Sequence, residues 1–363
     1  MSALPSRRER IADALQRTWS ARGAASTALL PLSFAYEAAT ALRRTAYRFG
    51  ARPTADLPVP VIVVGNLLAG GAGKTPAVIA ITAILRRHGF SPGIVSRGYG
   101  RQRTDRLEIG AATTALEGGD EPVLLRRRTG VPIVVAADRV AAGHALLQAH
   151  PGVDIIVADD GLQHLALGRD VEVIVFDERG AGNGRLLPAG PLRQRLPRRL
   201  GPRQLVLYNA ERATTPLPGY SGERRIAGVV PLGDWWRDPA VTPQDLDVLR
   251  GRPMVVAAAG LARPERFFAM LREHGLDAIE LALPDHHDFA VLPWPTRATD
   301  VIVTEKDAIK LVPERRIGCH VWVAALDFEP EPAFEAALLA LLSSPTPAPV
   351  APTSLEPNGN TPA

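Results

Sequence analysis

The run VIVVGNLLAGGAGKTP, residues 61–76, constrains this chain more than any other stretch. Four β-branched residues enter a glycine cluster. Lys74 and Thr75 follow, and residues 77–87 carry apolar side chains at helical spacing. A buried strand, a loop and a helix N-terminus in that order make a phosphate cradle, because the glycines let backbone N–H groups turn inward. Lys74 is placed to reach the β/γ-phosphates of ATP, and the Thr75 hydroxyl to hold Mg²⁺. The strict pattern G-x-x-x-x-G-K-[ST] asks for glycine at position 68, where this chain has Leu68. The loop is therefore a variant, with Gly70, Gly71, Ala72, Gly73, Lys74, Thr75 and Pro76 as the expected nucleotide-binding residues. The bland alternative is a glycine-rich βα turn with an incidental Lys-Thr; the flanking strand and helix argue against it.

Composition adds one hint. Of 42 Lys+Arg, only Lys74, Lys306 and Lys310 are lysines. A chain that writes nearly every cation as Arg has kept Lys in the glycine loop, where a compact ammonium fits between phosphates and a planar guanidinium does not.

At 363 residues the chain is long enough for two domains, and a single cysteine, Cys319, excludes an internal disulfide framework and fits a reducing compartment. No secretory signal is visible. Residues 1–50 hold eight Arg and three acids, a net of +5, so the remainder nets −1. Basicity confined to one end argues for a local surface contact and against a nucleic-acid-binding body. Residues 7–22 read as a basic amphipathic helix, with Ile11, Leu15 and Trp19 at helical spacing. The following stretch to Leu42 is almost free of charge but interrupted by Pro31 and Glu37, then flanked by Arg43, Arg44 and Arg48. That interruption argues against a membrane span. Two readings remain: a helix lying on an anionic membrane surface, or a helix packed on the body of the protein.

From about Leu57 short Val/Ile-rich runs alternate with helical stretches: 59–64, 93–96, 132–136, 154–158, 171–176 and 204–208. Continuous apolar runs suit strands buried on both faces, so the fold class is α/β, a P-loop NTPase-like doubly wound, mostly parallel sheet. Residues 211–250, rich in Thr, Pro and Gly, read as a linker or irregular excursion. A second, smaller α/β domain follows over 251–343, with strands expected at 254–259, 278–283, 301–304 and 320–325 and helices at 264–274 and 332–342. The division is thus an N-terminal segment 1–50, an ATP-binding domain 51–210, the linker, the second domain, and a Pro/Thr/Ala-rich tail 344–363 expected to be disordered.

Ligands in such sheets sit beyond the carboxyl ends of the strands. Asp159 and Asp160, just past an apolar run, have the layout of carboxylates that hold Mg²⁺, or of a strand-end Asp-Gly turn. Asp120 in GGDEP reads as a helix cap or as a general base. Arg97, in SRGYGR, is a candidate for an anionic group, or part of a solvated loop. The acid-free loop around Arg185 and Arg193 suits a phosphorylated lipid or a membrane surface, or is simply a solvated basic loop. In PDHHD, a histidine that meets the first domain across a cleft fits better than a metal centre. Glu305, Lys306 and Asp307 read by default as a structural ion pair.

Taken in order, VIVVGNLLAGGAGKTP, VSRGYGR, GGDEP, DDGLQH, GNGRLLPAGPLR, PERFF, PDHH and VTEKDAIK resemble the tetraacyldisaccharide 4′-kinase family of lipid A biosynthesis, over about residues 57–310. The resemblance implies two α/β domains with a cleft between them and an N-terminal membrane-associating helix. It implies ATP- and Mg²⁺-dependent phosphorylation of the 4′-hydroxyl of a tetraacylated glucosamine disaccharide 1-phosphate, giving lipid IVA at the cytoplasmic face of a bacterial inner membrane. It makes Asp120 the base, with His286 as its partner, and Lys74 a catalytic cation. Asp159 and Asp160 join Thr75 as metal ligands, and Arg97, Arg185 and Arg193 bind the acceptor. The enzyme is expected to be peripheral and monomeric. One departure stands out: Gln194 occupies a position where the family commonly has an acid. Two rival readings are a membrane-associated P-loop ATPase switch, which has no use for a GGDEP base, and a P-loop kinase of a soluble metabolite, which leaves the N-terminal helix unexplained.

Overall fold

The computed structural model describes residues 15, 17–71, 73–102, 104–312 and 317–344. Residues 7–14 and Gln16 of the expected first helix, Ala72 of the glycine loop and the tail 345–363 lie outside the described residues.

Twelve strands form one sheet: β1 (Val61–Gly65), β2 (Pro92–Ser96), β3 (Leu107–Glu108), β4 (Ile133–Val135), β5 (Ile155–Asp159), β6 (Val171–Phe176), β7 (Gln204–Tyr208), β8 (Tyr220–Pro231), β9 (Val255–Ala259), β10 (Ile279–Ala282), β11 (Asp300–Thr304) and β12 (His320–Pro330). Their order is β10-β9-β11-β12-β8-β7-β6-β1-β5-β2-β4-β3. Pairing is parallel except for β3 on β4 and β8 on β12. Every residue of β1, β2, β4, β5, β9 and β11 is buried, as continuous apolar runs require of strands covered on both faces. Among the described residues six longer helices flank the sheet: α1 (Leu30–Arg48), α2 (Lys74–Arg87), α3 (Asp120–Thr129), α4 (Arg139–Ala149), α5 (Pro264–Glu273) and α6 (Pro332–Ser343). One apolar core runs along a single face of the whole sheet, from Ile62 and Val157 through Val230 to Val301 and Val323.

The stretch 211–250, expected to be an irregular linker, contains β8, at twelve residues the longest strand. It starts parallel to β7 (Leu207 opposite Tyr220) and continues antiparallel to β12, from Gly222 opposite Pro330 to Pro231 opposite Trp322. Glu223, Arg224 and Arg225 break its apolar run, and β12 lies about a hundred residues away, so nothing local marked it as a strand. The two halves of the chain are therefore stitched through backbone hydrogen bonds.

Pro31 does not interrupt α1. It stands in the first turn, where its missing N–H is one of the donors a helix leaves unpaired in any case. Glu37, the other expected interruption, sits within α1 and pairs with Arg195. The inner side of this N-terminal region is fastened to the loop 183–195: Ser26 Oγ donates to Ala189 O, Ser33 Oγ to Leu186 O and Tyr36 OH to Arg193 O. Leu32, Phe34, Leu42 and Phe49 are more than half exposed. Among the described residues no helix is long and apolar enough to cross a membrane.

Candidate active site

The site lies at the carboxyl ends of β1, β2, β5, β6, β7, β9 and β11. From β1 the chain moves to β2 across β5, and later from β5 to β6 across β1, which opens a crevice beside β1. Gly70 (φ 90°) and Gly73 (φ 74°) take left-handed conformations, and Gly73 begins α2 with no side chain capping it. The first amides of α2 are thus free for an anion, with the positive end of the helix dipole behind them. Pro76 in that first turn costs no hydrogen bond. A Cβ on Gly73 would stand 1.7 Å from Asn209 Nδ2, so only glycine fits. Asn209, at the end of β7, is buried, and its side-chain amide makes no hydrogen bond among the described residues.

Lys74 is buried, with Nζ 3.6 Å from Asp160 Oδ1. Arg193 reaches the same carboxylate at 3.3 Å. Burial pushes the Asp160 carboxyl up, but Lys74, Arg193 and Arg139 outweigh it and hold the group below the usual carboxylate range. Asp159 is in the opposite state. Its Oδ2 accepts from Ser96 Oγ at 2.8 Å, while Oδ1 is buried and makes no hydrogen bond among the described residues. Burial first, then Glu121 and Asp160, push it up to about 7. A carboxylate so penalised for being charged is relieved by a cation. Asp160 itself sits at φ 49° and His286 at φ 61°, left-handed backbone that non-glycine residues adopt at a cost.

The second group of residues comes from both halves. Asp120 opens α3; the cap position is Gly119, and Asp120 makes no cap bond. The cap reading of Asp120 is therefore wrong. A Cβ on Gly119 would stand 2.9 Å from Tyr99 O, so the second glycine of GGDEP lets the SRGYG loop lie against it. Asp120 Oδ2 instead meets His286 Nδ1 at 2.8 Å, with Lys310 Nζ 3.6 Å away. Burial pushes Asp120 up, yet the His286 hydrogen bond and the charges of Lys306 and Lys310 bring it down to about 2. The same bond raises His286 above its ordinary value, against burial.

Lys306 does not pair with its sequence neighbours. It bridges Asp285 at 3.2 Å and Glu121 at 3.6 Å, while Glu305 takes Arg128 and Asp307 accepts from Thr304 and Gly260. All three lysines of the chain thus lie at this site. The rarity of lysine in the sequence marks Lys306 and Lys310 as much as Lys74. Glu121 was in view inside GGDEP, next to the residue that drew attention. Asn209 had no signal in the sequence.

The three arginines expected to bind the acceptor fare differently. Arg97 is exposed just past β2, and its charge adds to burial, the larger cause, in holding Arg139 below its ordinary value. Arg193 is drawn in to Asp160 and Gln163. Arg185 is not brought to the cradle: its guanidinium donates to Ser26 Oγ at 2.9 Å and Thr27 Oγ1 at 3.1 Å.

Residues 25–343 match the model of the family described as tetraacyldisaccharide-1-P 4′-kinase. A tetraacyldisaccharide 4′-kinase of Methylibium petroleiphilum is 55% identical over 329 residues, covering 89% of this chain and 92% of that one. One of Leptothrix cholodnii is 53% identical over 338 residues, covering 92% and 97%. Among solved structures, the "apo" form of LpxK from Aquifex aeolicus in complex with ATP superposes with a TM-score of 0.72 at 27% identity, covering 87% of this chain and 99% of that one.

Proposed function

This chain belongs to the tetraacyldisaccharide-1-P 4′-kinase family, and from that premise we propose how its residues carry the reaction. It is an ATP-dependent kinase of lipid A biosynthesis that transfers the γ-phosphate of ATP to the 4′-hydroxyl of tetraacyldisaccharide 1-phosphate. The observation that carries the mechanism is the 2.8 Å bond between Asp120 and His286, drawn from opposite halves of the chain onto the crevice that holds Lys74.

Asp120, ionised at neutral pH, accepts the proton of the 4′-hydroxyl on its carboxylate oxygen not bonded to His286. Its low basicity suffices, because phosphoryl transfer passes through a loose transition state in which the nucleophile needs orientation more than deprotonation. His286 fixes the carboxylate's direction. Lys74 leaves Asp160 for the phosphates, and the free amides of α2 and the loop Gly70–Thr75 cradle them. Thr75, Asp159 and Asp160 fit Mg²⁺, since Asp159 Oδ1 is a buried acceptor with no hydrogen bond among the described residues. Among the described residues no three acids or histidines gather into a metal cage, as suits an ion that keeps waters and substrate phosphates. When bound, it neutralises charge on the β/γ-phosphates. We assign Arg97 and Arg193 to the anionic acceptor and Arg185 to holding the N-terminal segment.

The acceptor is acylated, and the exposed Leu32, Phe34, Leu42 and Phe49, with Arg43, Arg44 and Arg48 on the same helix, suit a peripheral contact with an anionic membrane, which we assign to the cytoplasmic face of the inner membrane. Replacing the four apolar residues with serine should abolish sedimentation with anionic liposomes; unchanged sedimentation sinks this assignment. We take the working unit to be a monomer, which sedimentation equilibrium in detergent tests.

The deciding assay mixes γ-labelled Mg·ATP with the disaccharide 1-phosphate in detergent micelles. Label should enter the lipid with the wild type and fall by about 10²–10³-fold with Lys74→Ala. ATP turnover without labelled lipid would mean a different acceptor or an ATPase switch.

A further inference from the structure

Arg224 has no role in the scheme above, yet it stands against the glycine loop. It lies on β8, three residues past the last pairing with β7, at the seam between the two halves. One of its terminal nitrogens is 3.2 Å from where a Cβ on Gly73 would be, one residue before Lys74. It lines the same cavity as Gly71, Gly73, Lys74 and Thr75. Its Nε is buried and makes no hydrogen bond among the described residues.

The surrounding charges explain why it is unsatisfied. The acids whose charge acts on it are Glu178 and Asp177. Glu178 is already held by Arg266 at 2.8 Å and Arg263 at 3.2 Å, and Asp177 by Arg179 at 2.9 Å. Four guanidinium groups therefore share two carboxylates at this edge of the cradle, and Arg224 is the one without its own. Burial, then the like charge of Arg266, depress it to about 10. A desolvated cation beside another cation is costly unless an anion joins them.

We propose that Arg224 is a nucleotide-binding residue that holds the triphosphate of ATP together with Lys74, supplied by the strand that joins the two halves. A guanidinium suits the task, because its fork can take two oxygens of one phosphate or bridge two phosphates. The inference rests on the reading of Gly70–Thr75 as the ATP site.

Its test is ATP binding to the full-length chain in detergent, without acceptor, compared with competition by adenosine, which shares the base and sugar but has no phosphate. Arg224→Gln should weaken ATP about tenfold to a hundredfold, leave adenosine unchanged and not lower the unliganded melting temperature. Arg224→Lys, which keeps the charge and loses the fork, should fall between; it carries the test if the glutamine variant fails to fold. Arg225→Ala, exposed on the next residue and paired with Glu329, should match the wild type. ATP affinity within about twofold of wild type in Arg224→Gln or, where that variant does not fold, in Arg224→Lys overturns the proposal. Equal losses for ATP and adenosine also overturn it, because they mean a structural role. Arg224-dependent ATP binding in a chain that labels no lipid would sustain this inference and sink the functional reading. An indifferent Arg224 in an active kinase would do the reverse.

Discussion

The two ends of the crevice are built in opposite ways. At the glycine loop, polar groups are left wanting: the first amides of α2, the Asn209 amide, Arg224 Nε and Asp159 Oδ1 have no partners among the described residues. At the other end Lys310 Nζ and Asp307 Oδ1 also make no hydrogen bond among the described residues, so the contrast lies in the carboxylates: Asp120 has a histidine hydrogen bond and a lysine close by before any substrate arrives, where Asp159 Oδ1 has none. Burying an unpaired polar group is expensive, so a fold that leaves several together keeps them for a ligand that supplies the missing bonds. A carboxylate already paired is held in place and needs no ligand to orient it. On the proposed function, the glycine-loop end gains the missing bonds from ATP, and the Asp120–His286 end is oriented without it.

The comparison can be broken most directly at Asp120. Asp120→Asn should cut lipid phosphorylation about 10²–10⁴-fold while ATP affinity stays at the wild-type value, measured by single-turnover labelling beside equilibrium binding. If ATP affinity falls in step with activity, the two ends are not separable.

A smaller effect tests what holds the acid–base end together. Arg128, at the far end of α3, donates to Glu305 at 2.5 Å and Asp327 at 2.8 Å on the other half. Glu305 is buried, and burial pushes it up against the pull of Arg128. Arg128→Leu strands that carboxylate and should cost about 3 kcal/mol in urea unfolding, since breaking a buried pair leaves an uncompensated charge. The loss should shrink at acid pH, where Glu305 can take up a proton. A cost that does not change with pH would mean that packing, not charge, fastens α3.

The smallest effect follows from His286. Its folded value is raised, so its contribution to stability is complete below the unfolded value of about 6.5 and is lost as pH rises through the folded one. Asp120 works at the other limit: its contribution is present above about 4 and disappears as pH falls toward 2. The melting temperature should therefore decline as pH is raised above 6.5, and His286→Gln should flatten that decline. A variant with the same slope would place the titrating group elsewhere.

Much of this was legible in sequence because it is local. The glycine loop follows from a strand, glycines and a helix start within sixteen residues. The buried strands followed from unbroken Val/Ile runs, and Asp159 and Asp160 from their place just past one of them. The motifs, taken in order, also carried the family. What failed was whatever needed a partner far along the chain. β8 reads as an irregular excursion until β12 lies beside it. Pro31 and Glu37 look like breaks in a helix until the first turn and Arg195 account for them. From its own neighbours Asp120 reads more readily as a cap; the family resemblance made it a base partnered by His286, and the structure brings His286, 166 residues away, to hydrogen-bond distance.

By itself, then, the sequence determined the chemistry available at each strand end, because backbone propensity, glycine freedom and strand burial act over a few residues. Only the tertiary structure decided which charges meet. Lys306 turned from its neighbours to Glu121 and Asp285, Arg185 turned to the N-terminal segment, and Arg224 was left facing the phosphate cradle with no acid of its own. Coulomb energy and desolvation depend on distance through space, and that distance is set by how the halves pack, not by separation along the chain.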